Sequence, residues 1–261
     1  MPFAAGLYYH LFKGGELDSP PLVLIHGAGG MHLYWPHEVR RMAGRRVFTL
    51  DLPGHGRSNQ SGGLQSIQDY ADQVAVWLGA VGLPKAVFAG HSMGGAVVLA
   101  LATRYPEHVL GLALVATSAR LSVENDILEN AKSPTTFYKA LEALSQSSFS
   151  VTAPPRLVEL AYKRMSEIRP SVLHGDLLAS NGFDCTELLA SIQKPTLVLC
   201  GADDRITPVR TSQFLASSIQ GAQLVIVPQA GHMVMLEKPA AVAEALRSFL
   251  ERIPYRLSEV N

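Results

Sequence analysis

The segment Ala86-Val87-Phe88-Ala89-Gly90-His91-Ser92-Met93-Gly94 decides the fold that this sequence predicts. A short apolar run leads into the pattern G-x-S-x-G, and a helical stretch from Met93 to Tyr105 follows at once. A serine between small residues at a sharp strand-to-helix turn exposes its hydroxyl near a helix N-terminus. The alternative is a plain turn in which Ser92 only caps the helix, and the flanking elements disfavour it. We therefore predict that Ser92 is a nucleophile.

Short apolar runs like the one before Gly90 recur along the chain. They lack polar alternation, which is typical of strands buried on both faces of a parallel sheet. The runs are Leu22–Ile25, Val47–Leu50, Ala86–Ala89, Leu112–Val115, Thr196–Leu199 and Leu224–Val227. Helical segments alternate with them, one opening at a capping box from Ser66 to Asp69 and another opening at Pro239. This alternation predicts an α/β fold with a doubly wound, mostly parallel sheet.

Residues 118–193 interrupt the alternation of strands and helices. They hold only helical patches, such as Thr135–Leu144 and Arg156–Ile168, and the stretch is too long for a loop inside a compact domain. We predict a helical cap over residues 118–193, inserted into a core formed by residues 1–117 and 194–261.

A serine hydroxyl needs an adjacent base to attack at neutral pH. Where a serine nucleophile follows a strand of such a sheet, the chain order is serine, acid, histidine, and of the nine histidines only His174 and His232 follow the nucleophile far enough along. His174 falls in the predicted cap, whereas His232 lies in the loop after the last strand. We predict that His232 is the base.

The acid is expected in the loop after the strand that ends at Cys200. Asp203 and Asp204 both lie there, and spacing alone leaves both open. The developing oxyanion also needs donors, for which we predict the backbone N–H groups of Met93 and of Ala28, the latter in the glycine-rich loop His26–Gly30. Phosphate binding by that loop is the alternative, but G-x-G-x-x-G and a Walker lysine are both missing.

Five motifs in order make the chain resemble the α/β-hydrolase superfamily over nearly its whole length, most closely bacterial carboxylesterases and enol-lactonases with a small helical cap. The motifs are His26-Gly27-Ala28-Gly29, Asp51-Leu52-Pro53-Gly54-His55-Gly56-Arg57-Ser58, Gly90-His91-Ser92-Met93-Gly94-Gly95, Gly201-x-x-Asp204 with Pro208, and Gly231-His232. The resemblance implies that Asp204, not Asp203, is the acid. It also implies that Asp51, His55 and Arg57 belong to a structural loop.

The function expected from this resemblance is hydrolysis of small to medium carboxylic esters through an acyl-enzyme. Lactone opening and cleavage of a carbon–carbon bond could use the same residues, and a receptor that kept the fold without turnover is a further alternative. Serine at position 92 excludes the relatives with an aspartate nucleophile, namely haloalkane dehalogenases and epoxide hydrolases. Water is the second substrate, so we expect no cofactor.

Composition argues for a small-molecule ester as partner. Lys+Arg and Asp+Glu are both 22, and no block of like charge predicts nucleic acid or a membrane surface as partner. The longest apolar stretch, Ala96–Ala102, is too short to span a bilayer and the start lacks a secretory pattern, so a cytoplasmic location is expected.

Cys185 and Cys200 are expected to be buried thiols. No metal is expected, because His26, His32 and His37 do not form a ligand pattern. The oligomeric state stays open.

Residues that line the substrate pocket are the least determined by sequence. We predict walls from two neighbours of the oxyanion loop and from large side chains of the cap, namely Met31, Trp35, Phe137, Tyr138, Tyr162 and Met165. A substrate with a carboxylate would call for a basic cap residue among Arg156, Lys163, Arg164 and Arg169, but a solvated face is the simpler interpretation of each.

Overall fold

The computed structural model describes residues 2–12 and 19–255, in which the strands form one sheet in the order β1-β2-β4-β3-β5-β6-β7-β8. The strands are β1 Phe3–Ala4, β2 Leu7–Phe12, β3 Leu22–Ile25, β4 Val47–Asp51, β5 Ala86–His91, β6 Val109–Val115, β7 Thr196–Gly201 and β8 Gln223–Val227. All pairs from β4 to β8 along the sheet are parallel, which confirms the predicted fold class. The antiparallel strands β1 and β2 extend the sheet beyond β4 and were not predicted.

Ten α-helices of the described residues accompany the sheet. They are α1 His37–Arg40, α2 Ile67–Ala80, α3 Met93–Arg104, α4 Asn125–Lys132, α5 Phe137–Ser148, α6 Pro155–Met165, α7 Pro170–Asn181, α8 Val209–Ser218, α9 Val234–Glu237 and α10 Pro239–Leu250. Ser66 of the predicted capping box is the N-cap of α2, since the Asp69 N–H donates to Ser66 Oγ over 3.3 Å. None of the helices in the described part of the chain is long and apolar enough to cross a membrane.

Two apolar clusters cover the two faces of the sheet. Along β3, Val23 and Ile25 belong to the cluster with α2, α3 and α8, whereas Leu22 and Leu24 belong to the cluster with α1 and α10. Burial on both faces explains the unbroken apolar runs of the central strands. The expectation fails for Leu224–Val227, where Ile226 is 41% exposed. Within the described residues, strand β8 lies at the edge of the sheet and has a single neighbouring strand.

Residues 118–193, here called the helical insertion, lie between β6 and β7 and contain α4 to α7. The two predicted helical patches correspond to α5 and α6 with shifted ends, and α4 and α7 were not predicted. Apolar side chains of α4, α5 and α7 form a third cluster of their own. At the base of the insertion Arg120 pairs with Asp184 in an isolated β-bridge, and the Cys185 N–H donates to the Ala119 carbonyl over 2.9 Å. The two ends of the insertion are therefore joined.

Candidate active site

Ser92 occupies a strained turn between β5 and α3. Its φ of 52° and ψ of −119° put a non-glycine residue in a conformation that costs on the order of 1–3 kcal/mol. Such a turn requires small neighbours, and a Cβ added at Gly94 would lie 2.5 Å from the carbonyl oxygens of Ile25 and His26. The close packing of this turn against the loop after β3 explains the G-x-S-x-G spacing.

Backbone hydrogen bonds hold the turn in place. The Ser92 N–H donates to the Val115 carbonyl in β6 over 2.9 Å, and Thr117 Oγ1 donates to the Ser92 carbonyl over 2.8 Å. The Ser92 turn is thus held through its backbone groups.

Asp204 and His232 meet at the ends of β7 and β8. His232 Nδ1 lies 3.0 Å from Asp204 Oδ2, and both side chains are buried. Asp204 also accepts hydrogen bonds from the N–H groups of Ile206 and Thr207 and from Thr207 Oγ1, the last over 2.7 Å. Burial alone would raise the pKa of Asp204, but the positive charge that His232 can carry and these hydrogen bonds lower it below its usual value. Asp204 is therefore ionised and binds Nδ1–H, which leaves Nε2 of His232 as the basic nitrogen.

Asp203 has a different environment from its neighbour Asp204. Its side chain is exposed, while its backbone N–H donates to the Ala230 carbonyl over 2.9 Å. The other candidate base, His174, is half-buried on α7 in the helical insertion. Of these four residues, Asp204 and His232 are the pair in contact.

His91, next to Ser92, supports the loop that carries His232. Its Nε2–H donates to the carbonyl of His232 over 3.0 Å, and the two rings are 4.8 Å apart. Burial, and then the charge of His232, lower the pKa of His91 to about 3, so that it is neutral. Its Nδ1 has no hydrogen-bond partner within the described residues.

Two hydrogen bonds fix the Gly27–Ala28 peptide plane in the loop after β3. The carbonyl of Gly27 accepts from the Gly30 N–H over 3.0 Å and from His26 Nδ1 over 2.8 Å. In a trans peptide the N–H points opposite to the carbonyl, so the Ala28 N–H faces away from these donors. His26 is itself held by the Leu52 N–H, which donates to its Nε2 over 3.1 Å. Burial, and then the charge of His55, lower the pKa of His26 to about 4 and keep it neutral for both bonds.

The loop Asp51–Ser58 carries structural contacts, as the resemblance implied. Asp51 accepts from the N–H and Nδ1 of His32 and from the Arg57 N–H over 2.7 to 2.9 Å. His55 instead reaches the helical insertion, where its Nε2 lies 2.7 Å from Asp176 Oδ2. Burial alone would lower the pKa of His55, but the charge of Asp176 and the hydrogen bond to it raise the value above normal.

Ser92, His232 and Ala28 line one cavity of about 420 Å³. Half of its lining residues belong to the helical insertion. They are Leu121, Ser122, Val123, Glu124, Ile127, Leu144, Ser147, Ser148, Met165, Leu177 and Ser180. Arg205 and Arg210, which follow Asp204, line it from the sheet side.

Of the six residues predicted to line the substrate pocket, Met165 lines this cavity and the other five do not. Tyr162 lines a small neighbouring cavity, and Met31 a separate depression beside Gly54 and Arg164. Trp35 is fully buried in a core cluster, Phe137 packs within the insertion, and Tyr138 is 50% exposed. Large apolar side chains first fill the contacts between elements, and the cavity is left to medium-sized ones.

Sequence analysis missed three residues around the cavity. Thr207 binds the acid, Arg205 lines the wall, and Asp176 connects α7 to the loop after β3. The signal for Asp176 was present: it is an acidic residue next to the apolar pair Leu177-Leu178 in the helix Pro170–Asn181, and buried charges are rare unless they are paired. Within the described residues, no cluster of three His, Cys, Asp or Glu could hold a metal ion.

Residues 20–239 match the family described as alpha/beta hydrolase fold. The chain is 33% identical to the dihydrolipoyllysine-residue acetyltransferase component of the acetoin cleaving system of Pseudomonas putida, with 92% of this chain aligned, and it spans 65% of that protein's length. It is 31% identical to the pimeloyl-[acyl-carrier protein] methyl ester esterase of Neisseria meningitidis serogroup A, over 88% of this chain and 76% of that one. A thermophilic esterase structure from Thermogutta terrifontis, with malate bound, superposes with a TM-score of 0.86 at 28% identity, covering 95% of this chain and 94% of that chain.

Proposed function

Since the chain belongs to the alpha/beta hydrolase fold family, we propose that it hydrolyses carboxylic esters with Ser92 as nucleophile, His232 as base and Asp204 as the acid that orients the base. One observation carries this proposal: the hydrogen-bonded Asp204–His232 pair and the strained Ser92 turn open onto the same cavity. The likeness to two esterases adds support.

In the first half of the reaction, Ser92 Oγ attacks the ester carbonyl while His232 Nε2 takes its proton. The carbonyl oxygen becomes an oxyanion, which accepts hydrogen bonds from the backbone N–H groups of Met93 and Ala28. The Met93 N–H opens α3 and has no acceptor within that helix. Protonated His232 then gives the proton to the alcohol oxygen, the ester C–O bond breaks, and the acyl group stays on Ser92.

Water completes the cycle. His232 takes a proton from the water as it attacks the acyl carbonyl, and the same two N–H groups hold the second oxyanion. The proton returns to Ser92 Oγ as the acyl bond breaks, which releases the carboxylic acid. Asp204 stays ionised throughout, as its lowered pKa requires, and stabilises the positive charge on His232.

The helical insertion serves as a cap that sets which ester is accepted. It lines half of the cavity with mainly apolar and small polar side chains. A cavity of about 420 Å³ suits an ester of small to medium size. We also propose a small-molecule partner and a cytoplasmic location, for which the two free, buried cysteines Cys185 and Cys200 are suited.

Labelling with a fluorophosphonate and turnover of p-nitrophenyl butyrate test the proposal together. The wild-type protein should be labelled at one serine and should hydrolyse the ester. Ser92→Ala should lose labelling and lower kcat by on the order of 10⁴ or more, because the nucleophile acts as a unit with its base. Labelling or full turnover that survives in Ser92→Ala would reject Ser92 as nucleophile.

A matched control is Ser147→Ala, which removes another hydroxyl from the same cavity wall. It should retain labelling at Ser92. A wild-type protein that binds esters without turnover would instead indicate a receptor.

A further inference from the structure

Asp176 is a fully buried acidic residue outside the proposed triad. It lies on α7 in the helical insertion, and the donors around it come from the core. Its Oδ2 accepts the Gly29 N–H over 2.9 Å and lies 2.7 Å from His55 Nε2, and its Oδ1 accepts the Tyr70 hydroxyl over 2.6 Å. A buried carboxylate is costly unless it is fully paired. These contacts provide that pairing and join the insertion to three separate core segments.

The Gly29 contact bears directly on the loop of the oxyanion donor. Two peptide planes meet at the Ala28 Cα, and each has its own support. The Gly27–Ala28 plane is fixed by the hydrogen bonds that the Gly27 carbonyl accepts from Gly30 and His26. The Ala28–Gly29 plane is fixed by the hydrogen bond from the Gly29 N–H to Asp176. The first support lies within the core, whereas the second crosses from the insertion.

Gly29 makes this second support necessary. Its φ of +64° is a left-handed conformation that glycine enters and leaves at little cost. A loop with glycine at positions 27, 29 and 30 has little preference of its own for one conformation. A charge-assisted hydrogen bond is about twice as strong as a neutral one, and it is well suited to select that conformation.

We propose that Asp176 is a positioning residue of the oxyanion hole, through which the helical insertion fixes the backbone that presents the Ala28 N–H. The inference rests on the proposed esterase function. It assigns the insertion a share in stabilising the transition state, beyond forming the walls of the substrate cavity. Asp176 touches no substrate, so its effect must pass through Gly29.

Asp176→Asn is the first variant to test, because it conserves the shape of the side chain and removes the negative charge that strengthens the hydrogen bond from the Gly29 N–H. We expect kcat for p-nitrophenyl butyrate to fall about 10- to 100-fold with KM changed less than about threefold, since a misplacement of about 1 Å costs on the order of 100-fold. The inhibition constant of a trifluoromethyl ketone should rise by the same factor, because its adduct with Ser92 carries an oxyanion. The inhibition constant of butyrate, the product, should stay at the wild-type value.

Asp184→Asn is the matched control, an exposed aspartate in the same insertion whose nearest cation is Arg120 at 3.8 Å. It should keep wild-type kcat and ketone inhibition. The inference is overturned if Asp176→Asn keeps wild-type kcat, if it raises ketone and butyrate inhibition constants equally, or if Asp184→Asn loses as much activity. A wild-type protein without ester turnover would reject the proposed function itself, and this inference with it.

Tyr70→Phe tests the role of Asp176 in case Asp176→Asn does not fold. It removes one donor to Oδ1 and leaves the Gly29 contact with Oδ2 in place. We expect kcat to fall by about two- to tenfold with KM unchanged, the range of one lost hydrogen bond. Wild-type kcat and ketone inhibition in a folded Tyr70→Phe would then overturn the inference.

Discussion

The cavity wall that the sheet provides and the wall that the helical insertion provides are held in different ways. On the sheet side, Ser92, Asp204 and His232 lie in turns at the ends of β5, β7 and β8, and hydrogen bonds made by backbone groups of each turn hold it in place. On the insertion side, the wall consists of side chains such as Ile127 and Leu177 on helices that pack largely on one another.

This difference indicates which changes each wall tolerates. A turn fixed by backbone hydrogen bonds keeps its geometry when a nearby side chain changes, and that suits atoms that must meet within hydrogen-bond distance. A wall made of apolar side chains changes shape with every substitution. We therefore expect substitutions on the sheet side to alter the rate of the chemistry and those on the insertion side to alter the choice of ester, with Asp176 as one of the residues that connect the two sides.

The largest effect should come from the acid on the sheet side. Asp204→Asn should lower kcat by about 10³- to 10⁴-fold, because an amide cannot hold the imidazole in the required tautomer or stabilise its charged form. Asp203→Asn, one position earlier and exposed, should cost less than about tenfold. Steady-state kinetics on p-nitrophenyl butyrate distinguishes them, and the reverse ranking would show that the acid is misassigned.

The pH dependence of stability should separate two buried histidines, His91 on the sheet side and His55 at the contact with the insertion. In the folded protein the pKa of His91 is lowered from 6.5 to about 3, so the unfolded chain binds a proton that the folded one does not. Its contribution to the free energy of unfolding should fall as pH drops below 6.5, by about 1.4 kcal/mol per pH unit. The pKa of His55 is raised, so its contribution is complete below 6.5 and is lost as pH rises through the folded value.

Urea unfolding of His91→Gln and His55→Gln, each compared with wild type across this pH range, measures both contributions. The difference in free energy of unfolding between wild type and His91→Gln should shrink towards acid pH, and the difference between wild type and His55→Gln should shrink towards alkaline pH. Two differences that change in the same direction with pH would contradict the opposite pKa shifts assigned to these residues.

The smallest effect should come from the insertion wall. Met165→Ala should raise the ratio of kcat/KM for p-nitrophenyl hexanoate over acetate by about tenfold, because it enlarges the cavity by several atoms and one buried methylene is worth about 1–3 kcal/mol. Tyr138→Ala removes a side chain that is 50% exposed and should leave the ratio unchanged. Fluorophosphonate labelling should persist in both variants. Equal losses for the two esters in Met165→Ala would mean that this side chain supports the fold and does not select the substrate.

The sheet side could be predicted from sequence because local rules determine it. The turn at Ser92 needs small residues at fixed spacing, and the strands before and after it have recognisable apolar runs. The order of serine, acid and histidine then limits the choice of the remaining residues. The antiparallel strand Leu7–Phe12 was missed because it combines aromatic and polar residues and lacks the aliphatic run typical of the central strands.

The insertion side could not be predicted in the same way because helix packing decides which side chain faces the cavity. Phe137 and Leu177 are both apolar residues on helices of one cluster, yet Leu177 lines the cavity and Phe137 fills the space between helices. Asp176 depends on donors that are distant in sequence, since His55 and Tyr70 precede it by 121 and 106 residues. Spacing along the chain does not reveal such partners.

The contacts between the two ends of the insertion also bear on how related proteins can differ in this segment. Arg120 forms a β-bridge with Asp184, and the Cys185 N–H is hydrogen-bonded to the Ala119 carbonyl. The two ends of the insertion therefore lie as close together as if a short loop connected β6 and β7. The segment between these contacts could be exchanged for one of different length at a modest cost, because the entropy lost on loop closure grows only with the logarithm of loop length. A replacement insertion without a carboxylate that accepts the Gly29 N–H would leave the sheet and Ser92 in place. It would remove one of the two hydrogen-bonded supports of the loop after β3.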